Sequence, residues 1–193
     1  MHAKSKSPST SSDRSRVLLV GHPNVGKSAL FNRLTGADIT ESNYPGTTVD
    51  YTEGELVYDG ESLTVIDVPG TFSLNPKDRA EAVAADLLED NPEATVICVL
   101  DATRIERGLH LALEVIERGY AVVLALNMWD EARENGVAVD VDRLESVLGV
   151  PVVPTVAPTG RGVQELVESL GRAAAPAIDA IDDRLAVDGG ERA

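Results

Sequence analysis

Eight consecutive residues, Gly21-His22-Pro23-Asn24-Val25-Gly26-Lys27-Ser28, match the pattern G-x-x-x-x-G-K-[ST] at every fixed position. Such a loop grips phosphate. Gly21 and Gly26 let the backbone turn tightly, and the amides from Asn24 through Val25 to Ser28 point at phosphate oxygens, aided by the start of a helix. Ala29, next in the chain, joins these nucleotide-binding positions. Lys27 can reach the β- and γ-phosphates, and Ser28 can offer its hydroxyl to Mg²⁺. A glycine-rich turn with an exposed lysine is the plain alternative. It does not explain why Lys27 and Lys77 are the only lysines after residue 16.

Further polar residues stand just after apolar runs. In "VIDVPGTF", residues 65–72, the run ends in Asp67. A carboxylate at the end of a buried strand is costly unless it is paired or serves a metal, and Asp67 stands where P-loop nucleotidases hold Mg²⁺. Gly70 then brings a backbone amide toward a γ-phosphate, against the plain reading of a Pro-Gly turn. In "NMWD", residues 127–130, an amide and a carboxylate three apart can read a purine edge. Asp130 can accept from N1–H and the exocyclic amine that guanine has and adenine lacks, while Asn127 can bond N7 and brace the loop. Met128 stands where this guanine box usually has lysine. In "VPTVAPTGRG", residues 153–162, the Ala157 amide is the candidate contact to the guanine carbonyl. In "ESNYPGTTVD", residues 41–50, a polar loop fits a mobile switch whose Thr48 brings its hydroxyl to Mg²⁺ and its amide to the γ-phosphate. Thr47, beside Gly46, is read as packing in the turn. His22 is read as solvent-facing, and His110 and Trp129 as lacking site partners.

The elements that must position these residues are legible as alternation. "RVLLVG", "ATVICVLDA", "YAVVLALN" and "VPVVPT" read as buried strands, and "KSALFNRLTG", "DRAEAVAADLLED", "GLHLALEVIERG", "DVDRLESVLG" and "GVQELVESLGRA" as helices, the first stopped by Gly36. "TVDYTEGELVYDGESLTVIDV" alternates around Asp59-Gly60 as a hairpin. The expected fold is α/β: a mostly parallel six-stranded sheet with one antiparallel edge strand and helices on both faces. In such sheets ligands bind at the carboxyl ends of the strands, where the polar residues stand. Residues 1–15 are expected to be a disordered tail, 16–172 the domain, and 173–193 a frayed helix and flexible acidic tail.

Net charge is −15. Residues 1–16 hold four basic residues and one acid, which leaves 13 basic (17 less 4) and 31 acidic (32 less 1) beyond them. That surface disfavours nucleic acid. The single cysteine, Cys98, lies in an apolar run and reads as a buried small side chain. No apolar run approaches the ~18–20 residues of a membrane helix, so the chain is expected in the cytoplasm or peripherally at the inner face of the membrane.

Together, "GHPNVGKSALFNRLTG", "NYPGTTVD", "DVPGTFSL", "DATRIERGLHLALEVIERG", "VVLALNMWDEAR" and "GVPVVPT" resemble the cytosolic G domain of the ferrous iron transport protein B family over roughly residues 16–172. The resemblance implies a Ras-like P-loop G domain of the TRAFAC class, which hydrolyses GTP to GDP with Mg²⁺ and is linked to ferrous iron uptake. It implies catalytic roles for Asn24, Lys27, Thr48 and Gly70. At Asn24, related GTPases bind K⁺ where others use an arginine finger. Where Ras-like enzymes place a glutamine, this chain has Thr71. The resemblance also implies further domains and a membrane iron transporter as partner, so the chain is either a fragment or a stand-alone GTPase acting on a separate polypeptide. A ribosome-assembly or tRNA-modification GTPase, which shares "PNVGKS" and "PGTT", is the alternative.

Overall fold

The computed structural model of the 193-residue chain describes residues 16–36 and 39–190. The tail expected over 1–15 lies outside them. Apolar runs without alternation become strands covered on both faces. They are β1 (Arg16–Gly21), β4 (Glu61–Asp67), β5 (Thr95–Asp101), β6 (Ala121–Asn127) and β7 (Val152–Pro154), with β2 (Ile39–Asn43) and β3 (Asp50–Tyr58) beside β4. The sheet order is β2-β3-β4-β1-β5-β6-β7. β1 pairs in parallel with β4 and β5, and β3 pairs antiparallel with β2 and β4.

Side-chain alternation splits the core into two layers. Leu18, Val20, Val96, Cys98 and Leu100 face one side, toward helices α2 (Arg79–Glu89), α3 (Ile105–Glu117) and α5 (Val141–Leu148). Val17, Leu19, Ile97 and Val99 face the other, toward α1 (Lys27–Leu34) and α6 (Val163–Ser169). Cys98 lies within the first layer, and burial pushes its thiol up to about 12, so it stays an apolar filler.

Three expectations need correcting. The sheet has seven strands among the described residues, not six, because the first part of the 41–50 segment pairs as β2 with β3 (Ser42 opposite Tyr51). The loop proper is therefore 44–49. α1 ends at Leu34 rather than at Gly36, since Thr35 turns to extended backbone (φ −98°, ψ 157°) while its hydroxyl donates back to the Phe31 carbonyl. The stretch read as a frayed helix and flexible acidic tail contains helix α7 (Ile178–Gly190), which is anchored to the domain. Its Ile181 is buried in the core, and its Arg184 donates to the Val147 carbonyl at 3.0 Å. The hairpin stands as read: Asp59 and Gly60 both have positive φ, 50° and 80°, as a two-residue turn requires.

Candidate nucleotide-binding site

The carboxyl ends of β1, β4 and β6 bring the motif residues together. β1 delivers the loop 21–28 and α1 continues from it. Gly21 must lack a side chain, because a Cβ would run into the Val99 carbonyl of β5. Asn24 and Gly26 take positive φ, 66° and 83°, which curls the backbone into a cradle of amides. A Cβ on Gly26 would overlap the Asn127 side chain. β4 ends at Asp67, where Lys27 forms an ion pair with Oδ1 and the Ser28 hydroxyl donates to Oδ2 at 2.9 Å. His22, Pro23, Asn24, Gly26, Lys27, Ser28, Ala29 and Gly70 enclose a cavity of about 390 Å³. Lys27 is 9% exposed at its edge.

The donor set suits a small divalent cation. The Ser28 hydroxyl and the Asp67 carboxylate are adjacent hard oxygens of the kind Mg²⁺ takes. Among the described residues no three His, Cys, Asp or Glu cluster, so phosphate and water would complete its shell. The Asn24 side chain is exposed and makes no hydrogen bond among the described residues, which leaves its carbonyl oxygen free for a cation.

Two backbone contacts dock the segment after Asp67 on the phosphate loop. The Thr71 amide donates to the Gly21 carbonyl at 3.2 Å. A Cβ on Gly70 would lie 3.1 Å from Pro23. Thr71 is fully buried and its hydroxyl donates to the Ser73 carbonyl at 2.7 Å. It shapes the turn and has no hydroxyl to spare for water.

Asn127 is the junction on the base side, and it is buried. Its Nδ2 donates to the Val25 carbonyl at 2.9 Å. Its Oδ1 accepts from the Thr155 hydroxyl at 3.2 Å and the Ala157 amide at 3.0 Å. Met128, with φ 59°, turns the chain into helix α4 (Trp129–Glu134), whose first turn presents Asp130 exposed. Asn127 is thus a brace in this structure. The Ala157 amide, expected to meet the guanine carbonyl, points at Asn127 instead.

Thr48 is not gathered into the site. It is exposed, lines no part of the phosphate cavity and makes no hydrogen bond among the described residues. Thr47 packs in the turn as read, donating to the Tyr44 carbonyl and accepting from the Val49 amide. The Tyr44 hydroxyl donates to Asp90 at 2.8 Å and Arg79 donates to the Gly46 carbonyl at 2.7 Å, so the loop rests on α2 and its C-terminal residue.

Other residues were not foreseen. His22, expected to face solvent, tilts against Phe72 with ring centroids 4.8 Å apart. Its Nε2 is buried without a partner, and burial lowers its pKa. His110, read as lacking the partners of a metal or stacking site, lies 3.3 Å from Glu114. Glu114 accepts from the Leu74 amide at 2.6 Å and the Ser73 hydroxyl at 2.8 Å. Glu81, buried in α2, accepts from the Phe72 and Lys77 amides. An acid on the inward face of an amphipathic helix is a readable signal for a buried polar anchor, but spacing does not say what it anchors.

Comparison with known proteins agrees with this geometry. A family model described as ferrous iron transport protein B matches residues 15–170. A Porphyromonas gingivalis protein described as an Fe(2+) transport protein A/Fe(2+) transporter FeoB fusion is 42% identical over 156 residues, which are 80% of this chain and 18% of that protein. The chain therefore spans about a fifth of the length of that relative. The cytosolic domain of the T. maritima FeoB iron transporter in a GMPPNP form aligns with a TM-score of 0.77 and 41% identity, over 81% of this chain and 62% of that one. The T. maritima G domain alone aligns with a TM-score of 0.76 and 40% identity, over 82% of this chain and 98% of that one.

Proposed function

The chain belongs to the ferrous iron transport protein B family, and from that premise we propose that it binds GTP, hydrolyses it to GDP and phosphate, and acts as a nucleotide switch for ferrous iron uptake through a membrane transporter polypeptide. The observation that carries this reading is the convergence of Lys27 and Ser28 on Asp67 beside a cavity of about 390 Å³, with Asn127 tying that loop to the base side. The ribosomal or tRNA alternative is not favoured by the family match or by the acidic surface.

Lys27 leaves Asp67 and takes the β- and γ-phosphate oxygens, a stronger partner than one carboxylate. Ser28 and Asp67 would hold Mg²⁺, with Thr48 as a further candidate ligand, and the Asn24 oxygen would hold K⁺. When bound, the two cations supply neutralisation of charge building on the phosphates. The amides of Gly70 and Thr48 would hold the γ-phosphate oxygens as a water oxygen bonds to the γ-phosphorus, the bond to the β-phosphate oxygen breaks and the proton of the water passes to a phosphate oxygen. Asp130 reads guanine N1–H and the exocyclic amine.

The test is binding of a fluorescent GDP competed by GDP or ADP, with phosphate release from GTP measured in KCl and in NaCl. Preference for GDP and faster release in KCl are expected. Equal competition by ADP would remove the guanine reading, and equal rates in the two salts would remove K⁺. No helix among the described residues is long and apolar enough to cross a membrane. A transporter partner is therefore checked separately, by co-purification with a membrane polypeptide.

A further inference from the structure

Ala157 is held from both sides by residues distant in sequence. Its amide donates to Asn127 Oδ1 at 3.0 Å, and its carbonyl accepts from Arg33 Nε at 3.1 Å. A terminal nitrogen of Arg33 also donates to the Pro158 carbonyl. Pro158 has no amide of its own, and among the described residues Arg33 is the only group bonded to its carbonyl. The loop otherwise bonds within itself, through Gly160 to Val156 and Ala157.

Arg33 stands in the last turn of α1, the helix whose first residues are Lys27 and Ser28. A closed circuit results. The phosphate loop runs into α1, α1 carries Arg33, Arg33 holds Ala157, Ala157 meets Asn127, and Asn127 returns to the Val25 carbonyl in the phosphate loop. The guanidinium fork matches two successive carbonyls, which a single ammonium cannot do with the same geometry. Charge assistance makes these bonds stronger than neutral ones.

We propose that Arg33 is a positioning residue for the guanine base: by fixing the 157–158 loop on α1 it sets how long a guanine nucleotide stays bound. The inference rests on the reading of the site as a guanine-nucleotide site. Arg33 touches neither phosphate nor the edge read by Asp130. Its loss therefore loosens the base loop, while the hydrolytic step and the reading of the exocyclic amine persist.

The experiment follows release of N-methylanthraniloyl-labelled GDP and IDP from the full chain, wild type against Arg33→Gln, Arg33→Lys and Asp130→Ala. IDP lacks the exocyclic amine but keeps the carbonyl. In Arg33→Gln, release of both nucleotides is expected to quicken about tenfold, with their ratio kept. Single-turnover hydrolysis of bound GTP is expected to stay at the wild-type rate. Arg33→Lys, which keeps the charge but replaces the fork by a single donor nitrogen, is expected to fall between. Asp130→Ala is expected to collapse the GDP/IDP ratio instead. Release at the wild-type rate from Arg33→Gln overturns the inference. If that variant does not fold, the wild-type rate in Arg33→Lys overturns it equally. A wild-type chain that binds neither labelled nucleotide overturns the functional reading, and this inference with it; a wild-type chain that binds both but is indifferent to Arg33 overturns only the inference.

Discussion

Thr71 and Asn24 bear in opposite ways on the proposed hydrolysis. Thr71 follows Gly70, where a side chain could address the attacking water, yet its hydroxyl is spent on the Ser73 carbonyl and the residue is fully buried. Asn24 is exposed, with its amide oxygen unclaimed among the described residues. Thr71→Ala should therefore cost about 1 kcal/mol of stability through one lost turn bond and leave most of the hydrolysis rate. Asn24→Ala should cost about a hundredfold in KCl, the scale of removing one electrostatic contact to a transition state. Single-turnover phosphate release and a thermal melt of each variant measure both quantities, and the reverse ranking of rates would show that the charge is neutralised elsewhere. Gly26→Ala is a harsher change. Its φ of 83° and the overlap with Asn127 should abolish nucleotide binding while the chain still folds, checked by binding alongside circular dichroism. The phosphate residues were legible because amide cradles need glycine at fixed spacing, and the structure brings Lys27, Ser28 and Asp67 together. Thr48 was placed in the site by its pattern alone, and the structure leaves it exposed and outside the cavity. Arg33 was invisible because it acts through carbonyls more than 120 residues away, a distance no local pattern records.

At the scale of elements, the segment after β4 is tied down chiefly by α3. Glu114 accepts the Leu74 amide and Arg118 donates to the Leu74 carbonyl at 2.8 Å, so both polar groups of one peptide-bearing residue are clamped. Burial alone would raise the Glu114 carboxyl, but the Leu74 amide, the Ser73 hydroxyl, His110 and Arg118 outweigh it and hold the pKa below its ordinary value. The sign follows from that direction. A depressed folded pKa contributes stability that is present above the unfolded value, near 4.3 for glutamate. That stability is lost as pH falls through the folded value. Glu114→Gln should therefore loosen residues 71–75 at neutral pH, with amide exchange there about tenfold faster, consistent with loss of a charged hydrogen bond. The difference in stability from wild type should shrink as the medium is acidified below that range. Unchanged exchange at neutral pH would mean that Glu81 alone anchors the segment. The central strands and the Asp59-Gly60 hairpin were readable because burial on both faces and a positive-φ turn leave plain signatures. β2 was not, because "ITESN" is a polar edge strand defined only by the partner it pairs with. Helix α7 was legible as a helix, but its anchoring was not, because an Ala- and Asp-rich stretch shows its anchor only once Ile181 is seen in the core.

For the whole molecule, charge sets a condition on stability that no single contact does. Beyond residue 16 the chain carries a net −18 with two lysines, and one of them, Lys27, is committed to Asp67. Several arginines donate to backbone carbonyls, as Arg33, Arg79, Arg118 and Arg184 show. They hold loops in place, and 31 acids against 13 bases leave the surface net negative. Self-repulsion of exposed charge weakens as the screening length falls, from about 10 Å at 0.1 M salt to about 3 Å at 1 M. Relief of about 1 kcal/mol would raise the melting midpoint of a chain of this size by about 2–4 °C. The midpoint should therefore climb with salt, and it should climb in choline chloride as it does in KCl, since screening does not depend on the identity of the cation. Any additional rise specific to K⁺ should require bound nucleotide and should vanish in Asn24→Ala. A midpoint flat across both salts would mean that the carboxylates are neutralised by structure rather than by the medium, and the acidic surface would then need a different physical account.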